Sequence, residues 1–66
     1  MSQLYDMKLR IEELITAQRL DEKEIKGKIA LHSGKLLAFI SPTTPDDPDS
    51  IAKLKQAAKE ILNVDL

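Results

Sequence analysis

The apolar residues of this chain fall into runs of helical spacing separated by polar breaks. In the first run, Leu4, Met7, Ile11, Leu14 and Ile15 recur mostly three and four residues apart, with Lys8, Arg10, Glu12 and Glu13 between them. That spacing lays one apolar stripe along an amphipathic helix over about residues 3–19, with Ser2 placed to cap its start. A second start signal comes at once. Asp21 and Glu24 form an Asp-x-x-Glu capping box, Glu22 and Glu24 complement the positive helix end, and Leu20 and Ile25 flank the cap as a hydrophobic staple. The connection between these helices is therefore short, and they must turn sharply on each other.

From Glu22 to Ile40 the pattern admits three readings. One continuous helix puts Ile25, Ile29, His32, Leu36 and Phe39 on a single stripe, with His32 buried. A break near Ala30-Leu31-His32-Ser33-Gly34 gives two helices instead, over about 22–30 and 33–41, with Ser33 capping the second. Gly34 favours the break, because a glycine inside a long helix costs up to about 1 kcal/mol relative to alanine. A β-hairpin turning at Ser33-Gly34 is the third reading; the helical cap at Asp21 and the later apolar spacing argue against it. The stretch SPTTPDDPDS after it is too polar for a core. Asp47 is placed as an N-cap with Pro48 at the first helical position, opening a closing helix over about 48–62 whose face is Ile51, Leu54, Ala57, Ala58, Ile61 and Leu62. Asn63 fits a left-handed stop, after which Val64 and Leu66 can fold back onto the core.

The broken reading has the form of a helix-turn-helix, in which a few buried positions hold two helices at a steep angle. In a frame running from Glu22 to Ser41 those buried slots are Ile25, Ile29, Leu31, Leu36 and Phe39, and all are apolar. The stretch LITAQRLDEKEIKGKIALHSGKLLAFIS resembles the segment that opens the Cro/CI repressor class of helix-turn-helix domains. The tail IAKLKQAAKEILNVDL is similar to the helix that closes that fold. The resemblance implies an all-α, compact four-helix bundle of the lambda-repressor-like kind, containing a helix-turn-helix, as one domain over residues 1–66. It further implies that Asp21–Leu31 is the positioning helix and Ser33–Ile40 the recognition helix in the major groove of double-stranded DNA. His32, Ser33, Gly34, Leu37, Ala38 and Ser41 would then face the bases, with Lys28 and Lys35 on phosphates. The function implied is a small transcriptional regulator acting as a homodimer or with a partner protein.

Charge sharpens this expectation. Residues 1–41 carry seven Lys/Arg against six Asp/Glu, and residues 42–66 three against five, for a net charge of −1. A nucleic-acid face must therefore lie in the first two thirds and be only weakly basic, so its affinity should fall quickly with salt. The expected reading face has no Gln, Asn or Arg, the side chains that most often make bidentate base contacts. This opens a second reading, in which the same scaffold presents that face to another protein, with Leu37 exposed. A plain bundle or coiled-coil dimer with one helix from 22 to 40 is a third.

The remaining composition limits the chemistry. Sixty-six residues make one domain, which buries only about 60% of its unfolded surface. With no cysteine and His32 as the lone histidine, no metal set is expected, and no nucleophile–base pair, paired carboxylates or cofactor loop can be assembled. The expectation is a non-enzyme without a cofactor. The apolar runs are far short of a membrane span and Met1 leads into no signal-peptide pattern, so a cytoplasmic protein is expected.

Overall fold

A computed structural model describes residues 2–66. Its elements are α1 (Gln3–Ala17), α2 (Glu22–Ser33), one turn of 3-10 helix (Leu37–Phe39) and α3 (Pro48–Leu62), with no strand among the described residues. The radius of gyration, 10.7 Å, matches the roughly 11 Å of a compact domain of this length. The described residues are all-helical, as the periodicity implies, but they form three α-helices and not four.

Helix starts agree closely with the sequence signals. Ser2 accepts from the Tyr5 amide, Asp21 from the Glu24 amide and Asp47 from the Ser50 amide, each with extended backbone at the cap. The Asp21 cap thus marks where α2 begins, at the position that the capping signal predicts. Its partner Glu24 turns away to Lys28, so only the aspartate half of the box is made. At the end of α1 the chain reverses through Arg19 in the left-handed region (φ 55°). The Leu20 amide bonds the Ile15 carbonyl and the Arg19 amide bonds that of Thr16, a Schellman closure that ends α1 just before the α2 cap. Asn63 (φ 57°) ends α3 in the left-handed way its position foretold.

The core is aliphatic. Leu4, Ile11, Ile29, Ile40 and Leu54 are its most deeply buried large side chains, joined by Met7, Ile15, Ile25, Leu37, Ala57 and Leu62. Tyr5, Leu14, Ile51, Ile61, Val64 and Leu66 pack around it, so the tail does fold back. α2 packs mainly on α3, with Ala57 and Ala58 fully buried on α3. Two polar links reinforce this arrangement: His32 of α2 pairs with Glu60 of α3, and Lys26 of α2 reaches Glu12 of α1 at 3.0 Å and Glu22 at 2.6 Å.

The polar connector has a structural task. Asp46 receives the amides of Gln3 (3.0 Å) and Leu4 (3.1 Å), and the Ser2 hydroxyl reaches both its Oδ1 (3.0 Å) and the Thr44 carbonyl (3.1 Å). Asp46 therefore caps α1 from across the chain, while its neighbour Asp47 caps α3. Hydrogen bonds from Gln3, Leu4 and Ser2 hold the Asp46 carboxyl below the usual carboxylate range. The hydroxyl and amide of Ser50 do the same for Asp47.

The segment after α2 departs from the expected second helix. Instead of ending near residue 30, α2 runs on to Ser33, and Gly34 stops it in the left-handed region (φ 73°). Ser33 does not cap a new helix. Buried at the end of α2, its hydroxyl donates back to the Ile29 carbonyl at 2.7 Å and accepts the Lys35 amide at 3.3 Å. Beyond it, Leu36 is extended, Leu37–Phe39 make a single 3-10 turn, and Ile40 is extended again. Three residues per turn put Leu37 and Ile40 on one side, and both enter the core. The buried register is thus shifted by one residue: Leu37 and Ile40 replace Leu36 and Phe39, and Leu31 also faces out. The α-helix expected over 33–41 is corrected to this turn, which Lys8 anchors by donating to the Ile40 carbonyl at 3.0 Å.

Candidate interaction surface

The residues expected to read DNA do not form one surface. Leu37 is in the core, and so is Ser33. His32 is tied to Glu60 on α3, and Ser41 belongs to the connector turn, where its amide donates to Thr44 Oγ1 at 2.8 Å. Lys28 lies exposed on α2 within 3.7 Å of Glu24. Gly34 and Lys35 sit at the end of α2, and Ala38 is exposed on the 3-10 turn. Of the eight positions, only Lys28, Gly34, Lys35 and Ala38 remain on or beside an open α2 end.

The same region instead presents an apolar surface. Leu31 is 89% exposed, Phe39 74% and Leu36 50%. Leu31 and Leu36 wall a shallow hollow of about 540 Å³ that is completed by Gly27, Ala30, Gly34 and Lys35. The floor is helix backbone left bare by small residues: Gly27 and Gly34 are seven positions apart, close to two turns, with Ala30 between them.

Gly27 is unusual for its setting. It lies mid-helix on the exposed side of α2, and a Cβ added there would meet nothing within 4 Å. An interior helix glycine costs about 1 kcal/mol relative to alanine, and no packing in this fold demands it. Gly34, by contrast, is explained by its positive φ.

The charge around the hollow is basic. Lys35 lines it, Lys23 stands one turn before Gly27, and Lys28 is the next residue after Gly27. Among the described residues Lys23 and Lys35 make no ion pair within 4 Å, and Lys28 has only Glu24. The Lys35 charge does reach Asp47, contributing the smallest of the effects that lower that carboxyl. Lys26, on the inner side of α2, is different: its hydrogen bonds to Glu22 first and then to Glu12 raise its pKa, and the one to Glu12 ties it to α1.

The five-slot frame and apolar identity agree in expecting Leu31, Leu36 and Phe39 inside. The contrary signal is also in the chain. Reading Gly34 as a left-handed cap, not as an interior residue, makes Leu37 and Ile40 the paired core positions of the segment beyond it. Among the described residues there is no cluster of three metal-ligating side chains, and no helix is long and apolar enough to cross a membrane.

The site is thus an apolar, lysine-rimmed face on a small all-helical domain. No protein-family model matches this chain, and no curated protein or solved structure shows significant similarity to it.

Proposed function

We propose that this protein is a non-enzymatic protein-interaction module that engages its partner through the outer face of α2 and the turn after it. The observation that carries this is the exposure of Leu31, Leu36 and Phe39 within one short stretch. A chain of 66 residues with a marginal core has few large apolar side chains to place. Leaving three of them in water beside a hollow is the mark of a surface that another protein covers. On this reading the chain is a cytoplasmic relative of the Cro/CI helix-turn-helix domains in which the stretch after Gly34 serves contact and not base reading.

Transcriptional regulation by DNA binding is the second reading. What favours it is the line of Lys23, Lys28 and Lys35 along α2 and its terminal turn. Against it weigh the protruding Leu31 and Phe39, which offer nothing to phosphates, and the single 3-10 turn that stands directly after Gly34 where a recognition α-helix would enter a groove.

The test is a photo-crosslinking residue placed at Phe39 or, as control, at Lys55, in the cells that make the protein. A discrete protein adduct from position 39 and none from 55 is the expected result. Equal adducts from both positions, or adducts to nucleic acid alone, would reject the module. A duplex shift at about 50 mM salt that Lys35→Glu abolishes would favour DNA instead.

A further inference from the structure

Building on that reading of the α2 face, we infer that its occupant is an amphipathic helix of another protein, with acidic residues flanking its apolar side. The helix lies over Gly27 and Gly34, and its carboxylates meet Lys23, Lys28 and Lys35.

Shape comes first. The hollow is shallow and runs along about two turns of α2, floored by Gly27, Ala30 and Gly34 and walled by Leu31 and Leu36. A helix laid in such a trough offers apolar side chains at matching intervals, and bare backbone lets it approach closely. Gly27 is the telling residue. The fold would be better served by alanine there, since a Cβ would meet open space. A glycine that the fold does not require, on the floor of an exposed hollow, is accounted for by a partner that needs the space. A lipid surface would take the protruding Leu31 and Phe39 but has no use for the hollow or for a glycine on its floor.

Charge selects the partner. The rim holds Lys23, Lys28 and Lys35 against Glu24 and the more distant Asp47, so it is basic on balance. In a symmetric pairing the same patch from two copies would meet, bringing lysines against lysines. Like charges across an interface suppress such pairing, whereas carboxylates complement the rim. A second copy is therefore disfavoured and an acidic helix favoured.

The experiment titrates the ¹⁵N-labelled protein with three synthetic peptides of about 16 residues, long enough for four helical turns. One carries a leucine stripe flanked by glutamates, one the same stripe flanked by lysines, and one the glutamates with serine in place of leucine. The glutamate–leucine peptide should shift the amides of Gly27, Leu31, Gly34 and Leu36 and bind at least about ten-fold tighter than the other two. Leu31→Ser should weaken it by a similar factor, and Lys35→Glu should reverse the preference between glutamate and lysine peptides. Gly27→Ala should raise the melting temperature while weakening the peptide, a pairing of effects that a purely structural glycine does not give.

If the lysine–leucine peptide binds the same amides as tightly, the acidic partner is wrong while the interaction surface stands. If neither leucine peptide moves those amides, both fall together. Shifts at that face from a DNA duplex or anionic vesicles, with none from the peptides, would overturn the inference in favour of those ligands.

Discussion

At the junction where α1 and α3 begin, the backbone starts are capped from two directions, whereas at the end of α2 three large apolar side chains face solvent. The junction is built from Ser2, Asp46 and Asp47, with the Gln3, Leu4, Tyr5 and Ser50 amides all bonded to side-chain oxygens. The α2 end is built from Gly34, an extended Leu36 and one 3-10 turn, with Leu31, Leu36 and Phe39 outside. Both regions are irregular in structure, yet the one that is polar by sequence closes the fold and the one that is apolar opens it. The difference teaches that loop composition says little about task. What matters is whether a segment's groups find partners within the chain.

The comparison can be broken most forcefully inside α2 itself. Ile29 is fully buried and Leu31, two residues on, is the most exposed large apolar residue. Ile29→Ala should cost about 2–5 kcal/mol in chemical unfolding, the range for a core truncation. Leu31→Ala should stay within about 0.5 kcal/mol, as for a surface site. Equal losses from the two would mean that the chain packs Leu31 after all.

The glycines provide the next test, with opposite signs expected. Gly34→Ala forces a side chain into the left-handed region and should lower stability by about 1–2 kcal/mol. Gly27→Ala should raise it by roughly 1 kcal/mol, because only helix propensity changes. Thermal melts of the two variants beside the parent chain read both.

Acid probes the junction, with the smallest effect. The folded-state pKa values of Asp46 and Asp47 are lowered, so their contribution is present above the unfolded values and is lost as pH falls through the folded ones. The melting temperature should therefore drop below about pH 4, where an unperturbed Asp titrates. The Asp46→Asn/Asp47→Asn variant should start lower at neutral pH and lose less on acidification. An unchanged acid slope in that variant would mean that these caps do not carry the acid sensitivity.

Much of this fold is legible in the sequence because its signals are local. Asp21, Asp47 with Pro48, and Asn63 each act within a few residues, and α1 and α3 carry apolar stripes that only a helix satisfies. The stretch from Leu31 to Phe39 is not legible in the same way. Leu36 with Phe39 and Leu37 with Ile40 are both apolar pairs three apart, so periodicity cannot choose between them. Tertiary packing decides: α2 extends to Gly34, and the turn beyond it can deliver only Leu37 and Ile40 to the core. The expected DNA contacts beyond Gly34 depend on that register, and the shift takes Leu37 into the core while leaving Ala38 exposed. The role of Asp46 is hidden for a different reason. It caps a helix 42 or more residues away in sequence, and no local pattern encodes such a contact.

Leu31 and Phe39 belong to a surface and not to the fold, and everything proposed for the α2 face rests on that. Urea unfolding of the Leu31→Ser/Phe39→Ser variant tests it most directly. The expected result is a free energy within about 1 kcal/mol of the parent chain and an unchanged denaturant slope. A loss of several kcal/mol would place these side chains in the core and contradict it.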